Sequence, residues 1–204
     1  MVKVFIYNNT KNATNYTAVL NKLNTPYVLS QDINDICDCT HLLLCGGGDV
    51  HPAFYCQQNL HCKNIEVIRD LKEFYLINYF FCNNLPILGV CRGMQILNLY
   101  FGGTLRQTIK DKNLHFCKTK DCFHFVNIVG GFLNELYNDC YLVNSSHRQC
   151  VDKLGKHLVP IAFSDDLICE GFAHKNNKII AVQFHPERLD ISPEYIYKYF
   201  VSLQ

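Results

Sequence analysis

Pro86-Ile87-Leu88-Gly89-Val90-Cys91-Arg92-Gly93-Met94-Gln95 decides the reading of this chain. A short apolar run of β character leads into a cysteine set between small residues, and a helix-like pattern begins directly after it. A sharp strand-to-helix turn of this kind presents a nucleophile. The unpaired amides at a helix N-terminus favour thiolate over thiol, so position alone predicts an acidic and reactive Cys91. Far along the chain, Ile179-Ile180-Ala181-Val182-Gln183-Phe184 reads as another strand and runs into His185-Pro186-Glu187. These residues supply the base and the orienting carboxylate that a cysteine nucleophile requires, so Cys91, His185 and Glu187 form a candidate catalytic triad.

Upstream of the turn, strand and helix patterns alternate. Val2 to Tyr7 reads as a strand. Tyr16, Val19, Leu20 and Leu23 recur at helical spacing before Pro26, and Tyr27-Val28-Leu29 is a second strand. His41-Leu42-Leu43-Leu44-Cys45 is almost wholly apolar, as a strand covered on both faces should be, and it ends in Gly46-Gly47-Gly48-Asp49, where backbone amides are free to face a ligand. Val67, Leu71, Phe74, Ile77 and Phe81 predict a helix over 66–81. The helix after Cys91 uses Ile96, Leu97, Tyr100 and Phe101 and stops at Gly102-Gly103.

Downstream the rhythm changes to short β-like runs at 123–129, 141–144, 158–163, 168–173 and 179–184, with a brief turn or helix at 133–136 and a final helix over 193–203. The expected fold is α/β: a mostly parallel sheet with flanking helices, ligands bound beyond the carboxyl ends of its strands, and additional short antiparallel strands. No linker and no internal repeat is visible, so residues 1–204 are read as a single catalytic domain.

Composition narrows the function classes. The net charge of +1 and the scattered lysines provide no footprint for nucleic acid, and no apolar run approaches the roughly 20 residues of a membrane helix. The twelve cysteines form no paired Cys-x-x-Cys site, no leader segment is read at the start, and most of the twelve are expected to be reduced in a cytoplasmic protein. The histidines lack the His-x-x-x-His or similar spacing of a metal site, so no metal and no cofactor is expected. A homodimer is the prior for an enzyme of this size.

The motifs together resemble class I glutamine amidotransferase-type hydrolases, and more closely the gamma-glutamyl hydrolase branch, including enzymes acting on gamma-glutamyl-gamma-aminobutyrate. The resemblance rests on the order of Gly46-Gly47-Gly48-Asp49-Val50-His51-Pro52, Arg69-Asp70, the Cys91 segment, Gly102 to Gln107, Asn144-Ser145-Ser146-His147-Arg148-Gln149, and Val182 to Glu187. It implies a flavodoxin-like core, Cys91 as nucleophile, His185 as base and Glu187 as its orienter. It also implies an oxyanion hole from the backbone amides of Arg92 and the Gly47-Gly48 turn. Gly47, Gln95, Ser146, His147 and Gln149 are then expected to line the glutamyl site, with Glu170 facing the pocket to pair with a substrate ammonium. Arg148 departs from the pattern, because the branch commonly has a second histidine there. The expected reaction is hydrolysis of a small gamma-glutamyl amide through a cysteinyl thioester. The alternatives are a glutaminase subunit feeding ammonia to a separate synthetase, and a non-catalytic binding protein.

Overall fold

The computed structural model describes residues 1–8, 10–110, 112–137, 139–176, 178–189 and 193–204. The chain runs β1 (Val4–Tyr7), α1 (Thr10–Lys22), β2 (Tyr27–Ser30), β3 (His41–Leu44), α2 (Val67–Cys82), β4 (Ile87–Val90), α3 (Arg92–Tyr100) and β5 (Thr104–Arg106). It continues through α4 (Lys112–His115), β6 (Cys122–Ile128), α5 (Phe132–Leu136), β7 (Cys140–Ser145), β8 (Cys150–Lys153), β9 (Leu158–Ser164), β10 (Cys169–His174), β11 (Ile179–Val182) and α6 (Tyr195–Ser202).

Nine strands form one sheet in the order β2-β1-β3-β4-β11-β10-β9-β6-β7. The five from β2 to β11 are mutually parallel, and β10, β9, β6 and β7 extend the sheet with antiparallel pairings. The expected α/β architecture, a mostly parallel sheet flanked by helices with added antiparallel strands, is the one that forms. Strand side chains alternate between faces. Val4, Ile6, Leu43 and Val90 join one core with α1 and α6, while Phe5, Leu42, Leu44 and Ile87 join a second core with α2 and α3. Strands buried on both faces must be apolar at successive positions, which is why 41–44 and 87–90 read as continuous runs.

Three of these elements, β5, β8 and the short helix α4, have no counterpart in the sequence reading. β5 and β8 form a separate antiparallel ribbon, pairing Thr104 with Lys153 and Arg106 with Cys150, and an Arg106–Asp152 ion pair at 2.8 Å braces it. Segments of three or four residues carry too few positions to show a period. Of the twelve cysteines, Cys117 and Cys122 are joined in a disulfide and the other ten are free thiols.

α3 lies so close to β3 that only glycine fits at the crossing. A Cβ on Gly93 would sit 2.1 Å from the Leu44 carbonyl oxygen, a backbone atom with no rotamer to yield. Gly93→Ala is therefore expected to destabilise the protein by about 1–3 kcal/mol, as overpacking does. Urea unfolding would read this as a lower midpoint at unchanged slope.

Candidate active site

Cys91 sits between β4 and α3 with φ 53° and ψ −105°, a left-handed backbone conformation that is costly for any residue with a Cβ. Two backbone hydrogen bonds hold it there: the Cys91 amide donates to Val182 O at 2.8 Å, and the Cys91 carbonyl accepts from the Gln95 amide at 3.2 Å. The parallel pairing of β4 with β11 brings the ends of both strands together, so His185, just past β11, reaches the thiol. Its Nδ1 donates to Glu187 Oε1 at 2.7 Å, leaving Nε2 for the sulfur. Tyr197 donates to the second Glu187 oxygen at 3.5 Å.

The electrostatics of this group follow from burial and pairing. Burial alone pushes the Cys91 thiol up, but the His185 imidazolium outweighs it, helped by His147 and Arg188, and the net shift is downward. Burial pulls His185 down, yet Glu187 and Cys91 reverse this and push it up to about 10. Pairing thus favours the thiolate and imidazolium forms together. Cys45, Cys150 and Cys169, buried without such a partner, are each pushed up to about 12.

The glycine loop after β3 faces this group. The Gly46 amide donates to Tyr16 Oη at 2.9 Å, a link with no sequence motif to announce it. The three glycines serve here through space and not through unusual dihedrals, since none has a positive φ. A Cβ would meet His185 Cε1 at 2.8 Å from Gly46, Arg69 Nη1 at 2.4 Å from Gly47 and the Asn64 carbonyl oxygen at 2.0 Å from Gly48.

Arg69, Asp70 and Arg92 lie behind the loop. The buried Arg92 guanidinium pairs with the fully buried carboxylates of Asp70 and Glu73. Arg69 bonds Glu73 at 2.7 Å and donates to the carbonyls of Cys45 and Gly46 at 3.1 and 3.0 Å. The Arg92 side chain is therefore spent on scaffolding. Its backbone amide, in the first turn of α3, has no intrahelical acceptor.

A cavity of about 310 Å³ opens beside the thiol, lined among others by Gly47, Gly48, Cys91, Gln95, Ser146 and His147. Gln149 lines it too. Its Nε2 donates to Cys62 Sγ at 3.0 Å, while its buried Oε1 has no hydrogen-bond partner. Gln95 donates to Gln149 O and Gln183 Oε1, both at 3.1 Å. Arg148 stands in the wall, paired with Asp49 at 3.3 Å and lying over the Phe116 ring at 5.5 Å. Asn144, quoted only as part of a motif in the sequence, is a positioning residue. It donates to the His185 carbonyl and accepts from the His185 amide, each at 2.9 Å, fixing that peptide from both sides.

Glu170, expected to face the pocket, has a fully buried side chain and is not among the residues lining this cavity. The reason is its register on β10, which points it into a cluster of His115, His124 and His147 behind the pocket wall. These four side chains converge although their sequence spacing carries no ligand pattern.

A cysteine on a strained strand-to-helix turn, faced by a histidine–carboxylate pair from the next parallel strand, defines a hydrolase-type site of the class I glutamine amidotransferase kind. A family model, Peptidase C26, matches residues 6–187, and the chain belongs to that family. A Schizosaccharomyces pombe relative bearing the name glutamine amidotransferase is 36% identical over 174 residues, covering 79% of this chain and 68% of its own. The Campylobacter jejuni gamma-glutamyl-CDP-amidate hydrolase is 30% identical over 168 residues, covering 80% and 72%. A Thermoplasma acidophilum crystal structure, described as that of a GMP synthase subunit, superposes with a TM-score of 0.74 over 99% of this chain and 93% of its own, at 22% identity, and shares the fold. The chain spans 65 to 68% of the length of the first three curated relatives it matches.

Proposed function

We propose that the protein hydrolyses the amide bond of a small gamma-glutamyl compound, with Cys91, His185 and Glu187 as its catalytic triad. The observation that carries this reading is the Cys91–His185–Glu187 arrangement on a strained turn at the end of a cavity lined by Gln95 and Gln149. The thiolate attacks the side-chain carbonyl carbon, and the oxyanion is met by the amides of Arg92 and Gly48. His185, whose proton the pairing with Cys91 and Glu187 favours, delivers that proton to the leaving amine and then, as base, activates water against the glutamyl thioester. The orphaned Gln149 Oε1 is suited to accept from the glutamyl ammonium. The relative named for a gamma-glutamyl-CDP-amidate supports cleavage of a gamma-glutamyl bond to nitrogen.

Arg148 and Phe116 also line the cavity, and a leaving group set against this cation and aromatic face is expected to be polar or anionic. The test is glutamate release from glutamine, gamma-glutamyl amines and gamma-glutamyl conjugates with a phosphate-bearing leaving group. Rapid release from one conjugate with little from glutamine supports an independent hydrolase. Release that begins only when a synthetase is added makes the protein an ammonia-supplying glutaminase subunit.

The pH profile follows from the pair. Chemistry needs the thiolate and a protonated His185, so kcat/KM rises as Cys91 deprotonates and falls as His185 loses its proton near pH 10. Glu187 is the main group raising His185. Glu187→Gln is therefore expected to move the alkaline limb toward neutral pH and to lower the maximum by roughly 10²–10⁴-fold. An alkaline limb unmoved by this substitution would remove Glu187 from the triad.

A further inference from the structure

The buried cluster behind the pocket wall draws one residue from each of four segments: His115 from α4, His124 from β6, His147 from the loop between β7 and β8, and Glu170 from β10. Their inward ligand atoms lie within 4.8 Å of one another. Glu170 Oε1 stands 3.5 Å from His115 Nδ1, 3.7 Å from His124 Nε2 and 3.5 Å from His147 Nε2. Those separations are long for hydrogen bonds. All three nitrogens and both Glu170 oxygens are buried without a hydrogen-bond partner.

The outward nitrogens explain which way the rings are protonated. His147 Nδ1 faces the Gln149 carbonyl at 2.9 Å, and His124 Nδ1 faces the Phe125 carbonyl at 3.1 Å. His115 Nε2 faces both Asp166 oxygens at 3.2 Å. Carbonyls and carboxylates only accept, so each outward nitrogen carries a hydrogen, and the inward nitrogen is the one that gives up any proton it holds when a cation enters. Three inward nitrogens and a carboxylate thus meet in the interior without hydrogen-bond partners, an arrangement whose cost a bound cation removes.

We propose that His115, His124, His147 and Glu170 bind one divalent transition-metal ion of the zinc type. Zinc bonds of about 2.0–2.2 Å place neighbouring ligands of a tetrahedron roughly 3.3 Å apart, so the three carboxylate–nitrogen spacings are within a few tenths of an ångström of the bound geometry. Imidazole and carboxylate donors suit this class of ion, and the carbonyl and carboxylate partners are the outer contacts that orient histidine ligands. Four protein ligands leave no open position, so the ion is structural. It ties α4, β6 and β10 to the loop that carries Ser146 to Gln149 into the Cys91 cavity.

The experiment is to dialyse the purified full chain against zinc and then against zinc-free buffer, and to measure metal by mass spectrometry together with the thermal midpoint. One equivalent per chain is expected, with a midpoint rise of about 8 °C or more at a thousandfold excess of zinc over its Kd. Glu170→Gln and His124→Ala lose the equivalent and the rise. Cobalt(II) loaded into the native chain reports the ligands even if those variants fail to fold: intense visible bands without near-ultraviolet thiolate charge transfer support the histidine–glutamate site. Thiolate bands, placing the ion on the free cysteines, overturn the proposal. So does a midpoint indifferent to zinc and chelator, which would mean that protons alone settle the cluster.

Discussion

Cys91→Ala is expected to abolish glutamate release, by roughly 10⁴-fold or more, while leaving the fold intact. The sulfur is the only atom removed, and the alanine inherits the same backbone conformation, φ 53° and ψ −105°. Stability therefore changes little, and a folded Cys91→Ala protein with full activity would end the proposed mechanism. A companion variant separates strain from chemistry. Cys91→Gly is equally inactive, but glycine adopts this conformation without a Cβ clash, so it is expected to be more stable than Cys91→Ala by about 1 kcal/mol or more. Equal melting of the two would show that the turn stores no strain.

Arg92→Leu is expected to cost about 3–5 kcal/mol, because it strands Asp70 and Glu73 in the interior. Both carboxylates are fully buried. Burial pushes Asp70 up even with Arg92 beside it, whereas the two arginines outweigh burial at Glu73 and hold its carboxyl below the usual range. For a chain of this size the loss corresponds to roughly 6–20 °C in thermal midpoint. Adding Asp70→Asn and Glu73→Gln to Arg92→Leu removes the unpaired charges and is expected to recover part of the loss. A single variant as stable as the parent would mean that the cluster contributes nothing to holding the glycine loop. The side chain of the residue after Cys91 thus holds the scaffold, which leaves its amide for the proposed oxyanion site.

Much of the fold was legible because its signals are local. The strand at 87–90 and the helix after Cys91 each follow a hydrophobic period, and a parallel sheet demands the continuous apolar runs found at 41–44 and 87–90. The same locality makes Cys91 conspicuous, since a nucleophile on a strand-to-helix turn is written in ten consecutive residues. The β5–β8 ribbon was not legible, because its stability comes from pairing across 44 to 49 residues and not from the pattern of either strand.

Short-range periodicity and motif were enough to establish the layered α/β architecture, the position of Cys91 and its association with the His185-Pro186-Glu187 segment. Three features emerged only from the folded chain: Asn144 clamps the His185 peptide, Arg92 is a buried tie, and Glu170 turns from the pocket toward three histidines. The physical reason is strand register. A residue's neighbours across a sheet are set by which strands pair and on which face each side chain emerges, and a shift of one residue reverses that face.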